Sequence, residues 1–257
     1  GLIRKGLKRM PRALRHACYR NCIRLDPQTP ASLQFRVAET REELAAAYRI
    51  LHDAYVAMGY MAPDPSGMRI TAWHALPTTT TLIALRDGEV VGTVSVIENG
   101  VLGLPLDRIF DTTAIKQRHR RVVEISALAI RKGCRDGGEV LFPMLKYLYT
   151  YCADQLDCEQ MLIAMHPDMA DYYEGMFFFE PLGETVSEYS FVNDAPARGL
   201  RLDMKAVRAR WQACYAKAPA HRNIYRYVFE LPGNRYDSAG SREPACLVAP
   251  ELAEHFF

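Results

Sequence analysis

The stretch Val122–Phe142, VVEISALAIRKGCRDGGEVLF, decides the fold. Val122 to Ile130 is a run of small and β-branched apolar residues and reads as a buried strand. Arg131 to Gly138 is a basic, glycine-bearing turn, and the residues after it open a helix. A strand that feeds a helix through such a turn leaves backbone N–H groups unpaired, and these form a site where a phosphate can dock. Glu124 and Ser126 interrupt the apolar run and, standing two apart, point to one face. Burying a carboxylate is costly unless it is partnered or used. Glu124 is therefore either tied to a nearby arginine or placed as a base beside a phosphate-bearing cofactor arm.

Working outward toward the C-terminus, the spacing of Leu141, Met144, Leu145, Leu148, Cys152 and Leu156 predicts a helix running to about Gln155. Gln160 to Met165 is a second buried strand, broken by His166-Pro167-Asp168. Asp168 is expected to cap a short helix through Tyr173, Phe177 to Glu180 to return as a strand, and Ala197 to Met204 to close the core. Met204 to Tyr215 reads as an amphipathic helix and Ile224 to Leu231 as a strand-like run.

Toward the N-terminus, Thr80–Leu85 and Val90–Ile97 flank Asp87-Gly88, a strong hairpin signal. Tyr60 to Pro77 carries three prolines with Arg69, Trp73 and His74, and reads as a long ordered loop. Thr40-Arg41-Glu42-Glu43 is a capping box opening a helix with the stripe Leu44, Ala47, Tyr48, Leu51, Tyr55 and Met58, ended by Gly59. Phe35 to Ala38 is a short strand. This order predicts an α/β fold, an α+β mixed sheet crossing at Glu124 to Phe142. It divides the 257 residues into a basic arm (1–34), a core (35–204) and a C-terminal appendage or lid (205–257).

Net charge is only +2, but its distribution is uneven. Gly1 to Leu25 holds eight Lys or Arg and no acid, and Lys116 to Arg135 holds seven against Glu124 alone. Such patches favour acidic partners. Aromatic residues sit in apolar stripes and are not interleaved with the basic ones, which argues against a nucleic-acid binding surface. Seven cysteines without a repeated C-x-x-C pair suggest neither a disulfide framework nor a zinc site, and favour a reducing compartment. No metal site is expected. No apolar run approaches a membrane span, and the basic start lacks the apolar segment of an export signal. The expectation is a cytoplasmic protein, with the basic arm able to lie on anionic lipid at the inner membrane surface.

The hairpin, the VVEISALAI strand, the basic turn, and Ala170-Asp171-Tyr172-Tyr173-Glu174 before Phe177 together resemble the Gcn5-related N-acyltransferase fold. Leu104-Pro105-Leu106-Asp107 followed by Glu124-Ile125-Ser126-Ala127-Leu128-Ala129 is similar to the long-chain N-acyl amino acid synthases, relatives of the acyl-homoserine lactone synthases. The resemblance spans roughly Phe35 to Met204. It implies an acyl thioester whose pantetheine arm pairs with the central strand at Ala127, Leu128 and Ala129. Its phosphate would rest at the next helix, near Arg131, Lys132, Arg135, Gly137 and Gly138. Coenzyme A users carry R/Q-x-x-G-x-G/A at that turn. Arg131 to Gly138 departs from this pattern, so acyl-phosphopantetheine on acyl carrier protein is preferred over acyl-CoA as donor, with no tightly bound cofactor. Acidic carrier proteins would suit the turn, Arg118 to Arg121 and the N-terminal arm.

The implied reaction transfers a long-chain acyl group to the amine of an amino acid. Glu124 is expected to take the proton, directly or through water, and a strand N–H near Ala127 to Ala129, freed by a bulge, to polarise the carbonyl. Tyr173 matches the fold's tyrosine that protonates the leaving thiolate, and Ser126 is placed to orient either proton carrier. The acceptor carboxylate calls for an arginine, Arg69 or Arg108. Acyl-homoserine lactone or ornithine-lipid synthesis, and coenzyme A-dependent acetylation, stay open as related activities. Nucleic-acid or anionic-membrane binding stays open as the non-enzymatic reading.

Overall fold

The computed structural model describes residues 10–135, 138–240 and 243–247. Gly137, expected at the phosphate turn, and residues 1–9 of the basic arm lie outside the described residues. In chain order the main elements are α1 (Arg12–Cys22), β1 (Leu33–Val37), α2 (Arg41–Ala57), β2 (Thr79–Arg86), β3 (Glu89–Glu98), α3 (Thr113–Arg118), β4 (Val122–Ile130), α4 (Leu141–Thr150), β5 (Gln160–Met165), α5 (Pro167–Phe177), β6 (Glu180–Pro181), β7 (Val186–Tyr189), β8 (Ala195–Asp203) and α6 (Met204–Tyr215). The strands form one mixed sheet in the order β1-β2-β3-β4-β5-β8-β6, with β7 also paired to β8. The fold is the mixed α/β architecture expected from the order of elements around the central stretch.

Local chemistry sets most of these boundaries. The Thr40 side chain accepts from the Glu43 N–H, and the Glu43 carboxylate turns back to the Thr40 N–H, so both partners of the capping box are in place. Asp87 and Gly88 both hold positive φ, 52° and 83°, as a tight hairpin turn requires. β2 and β3 run antiparallel on either side of them.

The pairing of neighbouring strands lapses at the centre of the sheet. β4 is antiparallel to β3 along its length but parallel to β5 only through Val122↔Gln160, Val123↔Met161 and Glu124↔Leu162. From Ile125 onward β4 keeps only β3, while β5, paired with β8 along its whole length, keeps only β8, so the two halves splay apart. Within the splayed part β4 carries a bulge: Ser95 faces Ser126 and Thr93 faces Ala129, which leaves Ala127 and Leu128 opposite Val94 alone. Ala127 sits there at φ 56°, a left-handed conformation that costs a non-glycine residue on the order of 1 kcal/mol. The bulge also shifts the alternation. Val123 and Ile125 pack with α4, whereas Ala127 and Ala129 pack with α2.

Several expected elements differ. His166, not Asp168, caps α5, its Nδ1 accepting from the Asp168 N–H at 3.2 Å, and the helix continues to Phe177. The expected strand at Phe177 to Glu180 shrinks to Glu180–Pro181, because Phe178 takes a left-handed conformation that ends the helix first. The run Ile224 to Leu231 is not a strand but a helical turn, Arg226–Glu230, whose Tyr227 and Val228 are buried in the main core. Met58, assigned to the buried stripe of α2, is 61% exposed. It stands at the rim of the cavity described below.

The N-terminal helix is docked. Arg15 holds Asp171 of α5 through Nε at 2.5 Å and Nη2 at 2.7 Å, and Tyr19 donates to the same carboxylate at 2.8 Å. Arg12 reaches Glu174 at 2.6 Å and Arg20 the Gly175 carbonyl at 2.8 Å. Burial pushes the Asp171 carboxyl upward, but the bonds from Arg15, Tyr19 and His16 outweigh it and hold it well below the usual carboxylate range. Three cations of the arm are thereby spent on α5 and not presented to a partner. Among the described residues no helix is long and apolar enough to cross a membrane.

Candidate active site

The gap between β4 and β5 opens into a cavity of about 350 Å³ lined from both faces of the sheet. Leu51 and Tyr55 of α2 and the loop residues Arg69 and His74 line one end; Leu145, Lys146 and Tyr149 of α4 with Trp211 of α6 line the other. The segment Glu124–Leu128 of β4 and Ile163–His166 at the end of β5 form the waist, with Tyr173 and Phe177 of α5 beside them.

Glu124 lines this cavity and is only 3% exposed. The Leu106 N–H donates to Oε2 at 2.8 Å, and no ion pair to the carboxylate forms among the described residues. The Leu104-Pro105-Leu106-Asp107 motif explains this contact. It forms a short 3-10 turn in which Asp107 accepts the Leu104 N–H at 2.6 Å, and the turn delivers the Leu106 N–H to the strand. Burial raises the Glu124 pKa to about 8, against the pull of the Leu106 N–H and with a further push from Asp107. Of the two readings of Glu124, the arginine-tied core carboxylate is thus not what the structure contains.

Ser126, Ala127 and Leu128 line the cavity at the bulge; Ala129 packs into the α2 core instead. Tyr173 lines the waist, edge-on to Phe179 at 5.8 Å and tilted against Phe177 at 5.4 Å. Burial pushes its hydroxyl up to about 12. The two candidate arginines separate cleanly. Arg69 is in the cavity, its guanidinium 4.1 Å above the Tyr55 ring and donating to the Phe191 carbonyl at 2.7 Å. Arg108 lies outside it, stacked over Trp73 and Phe191 at 5.1 and 5.0 Å.

The turn after β4 is a separate place. Arg131 is held by Glu89 at 2.9 Å and by the Val90 carbonyl, and Arg135 donates to the Ile130 carbonyl at 2.8 Å. Lys132 is exposed, and Gly138 takes φ 80° just ahead of α4. Arg118 to Arg121 stand at the opposite end of β4. At the rise of an extended strand that is on the order of 30 Å away, so the two basic clusters do not form one surface. Arg121 is also paired with Asp157 at 2.7 Å.

Sequence reasoning missed two cavity residues. Tyr189 of β7 lines the site, and burial together with the nearby Glu124 raises its pKa. His74 was visible only as part of a loop. Its ring is 5% exposed, lies 5.1 Å from the Tyr48 ring, and has its pKa lowered to about 4 by burial and by Arg69. The one available signal was the cluster of Arg69, Trp73 and His74 in a loop too long to be a mere connection. Trp73 itself is a packing anchor, its Nε1 donating to the Gly103 carbonyl at 2.8 Å.

The mixed sheet, split between β4 and β5, is a Gcn5-related N-acyltransferase-like fold. The family model described as N-acyl amino acid synthase FeeM matches residues 46–203, and the chain belongs to that family of N-acyl amino acid synthases. It is similar to the structure of FeeM, an N-acyl amino acid synthase from uncultured soil microbes, at 24% identity and TM-score 0.60, over 69% of this chain and 93% of that one. The acyl-homoserine lactone synthase LasI shares the fold at 14% identity and TM-score 0.53, over 68% and 91%. So does the coenzyme A-dependent acyl-homoserine lactone synthase BjaI, with SAM and isopentyl-CoA, at 14% identity and TM-score 0.55, over 84% and 96%. No curated protein sequence is significantly similar to the chain.

Proposed function

We propose that this N-acyl amino acid synthase takes its long-chain acyl group from the phosphopantetheine thioester of acyl carrier protein, with Glu124 as the base that frees the amino group. The observation that carries this reading is Glu124 itself: buried, lining the cavity at the fork, and held by one backbone N–H, with no ion pair to it among the described residues. A carboxyl whose pKa is raised to about 8 accepts a proton from an alkylammonium far better than an ordinary glutamate does.

The pantetheine arm would enter between β4 and β5, where β4 has lost its parallel partner. Its phosphate would reach the exposed turn of Lys132, Arg135 and Gly138, and the apolar far end of the cavity would take the acyl chain. The freed amine attacks the thioester carbon, the backbone N–H groups of the Ala127 bulge stabilise the oxyanion, and the C–S bond breaks. Ammonium and thioester become amide, free thiol and one released proton. Because the Tyr173 pKa of about 12 is well above that of a thiol, Tyr173 stabilises the departing thiolate by donating a hydrogen bond, and solvent completes the protonation. Ser126 orients Glu124 or the attacking water-relayed amine, and Arg69 rather than Arg108 meets the acceptor carboxylate.

The test presents purified protein with long-chain acyl carrier protein or the matching acyl-CoA, together with a mixture of amino acids, and follows free thiol and N-acyl amino acid. Faster release from the carrier thioester is expected. Glu124→Gln should lower turnover at least tenfold without loosening carrier binding. Equal or faster use of acyl-CoA would overturn the carrier assignment, and an undiminished Glu124→Gln rate would overturn the base.

A further inference from the structure

We infer that His74 is a specificity residue for the acceptor: its neutral imidazole donates an Nε2–H hydrogen bond to the acceptor's carboxylate, beside the guanidinium of Arg69. The inference rests on the N-acyl amino acid reading above and deepens it to the group by which the acceptor is recognised.

The argument begins with the proton. A backbone N–H can only donate, and the Thr71 N–H points at His74 Nδ1 from 3.1 Å. The Thr71 hydroxyl is 3.2 Å from the same nitrogen and is free to donate to it as well. Nδ1 is therefore the acceptor nitrogen, which leaves the ring proton on Nε2. That N–H is buried and has no partner among the described residues. A buried donor left without an acceptor is costly, and such groups call for an explanation.

Its surroundings say what should come. His74 lines the cavity, and Arg69, lining the same end, is close enough to act on the ring electrostatically. Arg69 gives one N–H to the Phe191 carbonyl, 2.7 Å away, makes a long contact to Met61 sulfur at 3.9 Å and also hydrogen-bonds Tyr55, which leaves part of its five-donor fork unengaged among the described residues. A neutral N–H donor next to a fixed positive charge matches an anionic oxygen acceptor. The groups that face the ring, Tyr48 of α2 and Thr71 and Arg69 of its loop, supply no carboxylate, and none among the described residues bonds its Nε2. The substrate class this end selects is an amine that carries a carboxylate, not a plain amine or an amino amide.

A cycle that crosses enzyme with substrate variants tests this. With donor saturating, kcat and KM are compared for an amino acid, its carboxamide and its decarboxylated amine, using wild type, His74→Phe and His74→Gln. Wild type should prefer the acid over the amide at least tenfold in kcat/KM. His74→Phe should lose most of that preference through KM for the acid, with little change for the amide. His74→Gln, which offers a side-chain N–H, should recover it to within about threefold. Equal losses on acid and amide in His74→Phe would mean the ring only packs, and a wild type indifferent to the carboxylate would overturn the inference directly. Should His74→Phe fail to fold, nitrogen NMR of wild-type imidazole decides. The Nε2–H tautomer should persist from pH 5 to 8, and its signal should move on adding the acid but not the amide; a signal that the acid does not move overturns the inference. Absence of thiol release with every acceptor would instead sink the reading beneath it, while the NMR titration still judges His74.

Discussion

Two buried glutamates of this protein have opposite surroundings. Glu174, 8% exposed on α5, is gripped from both sides, by Arg12 at 2.6 Å and by Arg198 at 3.1 Å. Glu124, 3% exposed on β4, has a backbone N–H and a cavity. The first ties the N-terminal helix and β8 to α5. The second stands at the fork of the sheet with no ion pair among the described residues, and burial favours its neutral form. Burial alone thus says little about a carboxylate; what faces it decides whether it holds the fold or performs chemistry.

The largest expected effect lies on activity at Glu124. Glu124→Gln should reduce kcat at least tenfold, and Glu174→Ala, which touches nothing in the cavity, should leave kcat within about threefold. Comparable kcat losses in the two variants would erase the distinction. Stability should show the mirror image. Glu174→Ala strands Arg198, whose Nε is already buried without a partner among the described residues, and is expected to cost about 1–3 kcal/mol in urea unfolding; Arg12 is 64% exposed and contributes little to that figure. A Glu174→Ala protein as stable as wild type would show that the clamp is decorative.

The pH dependence sharpens the contrast further. The folded-state pKa of Glu124, about 8, lies above its ordinary value of 4.5, so its stabilising contribution is complete below 4.5 and is lost as pH rises through about 8. Melting temperature in wild type should therefore drift downward over that window, and Glu124→Gln should flatten the drift. On the activity side, kcat/KM should rise with pH toward about 8, an acid limb that Glu124→Gln removes. An unchanged slope in that variant would mean another group titrates there.

The smallest effect is expected at the bulge. Ala127→Gly relieves a positive φ at the loss of one buried methyl, and should stay within about 1 kcal/mol of wild type. Ala127→Val adds a β-branched side chain to the same conformation and should destabilise by more than that. Calorimetric melts that rank the two the other way would dispute the left-handed assignment.

Much of this architecture is written locally. The capping box at Thr40, the Asp87-Gly88 turn and the Val122–Ile130 strand each depend on neighbours a few residues away, and each appears where the sequence puts it. The misread elements depend on distant partners. Ile224 to Leu231 has strand-like composition, but its turn is fixed by packing of Tyr227 and Val228 and by the Lys146 ammonium donating to the Leu231 carbonyl at 2.6 Å. The basic arm looked like a free surface because its acidic partners, Asp171 and Glu174, lie more than 150 residues along the chain.

The candidate site divides the same way. The sequence by itself determined that Glu124 is a carboxylate inside an apolar strand, followed by small residues and a basic, glycine-bearing turn. Only the tertiary structure decided that no arginine among the described residues reaches Glu124, that Arg69 and not Arg108 enters the cavity, and that His74 and Tyr189 join it. The physical reason is that a side chain's backbone setting is local, whereas its hydrogen-bond partners and its exclusion from water are set by whichever distant elements close over it.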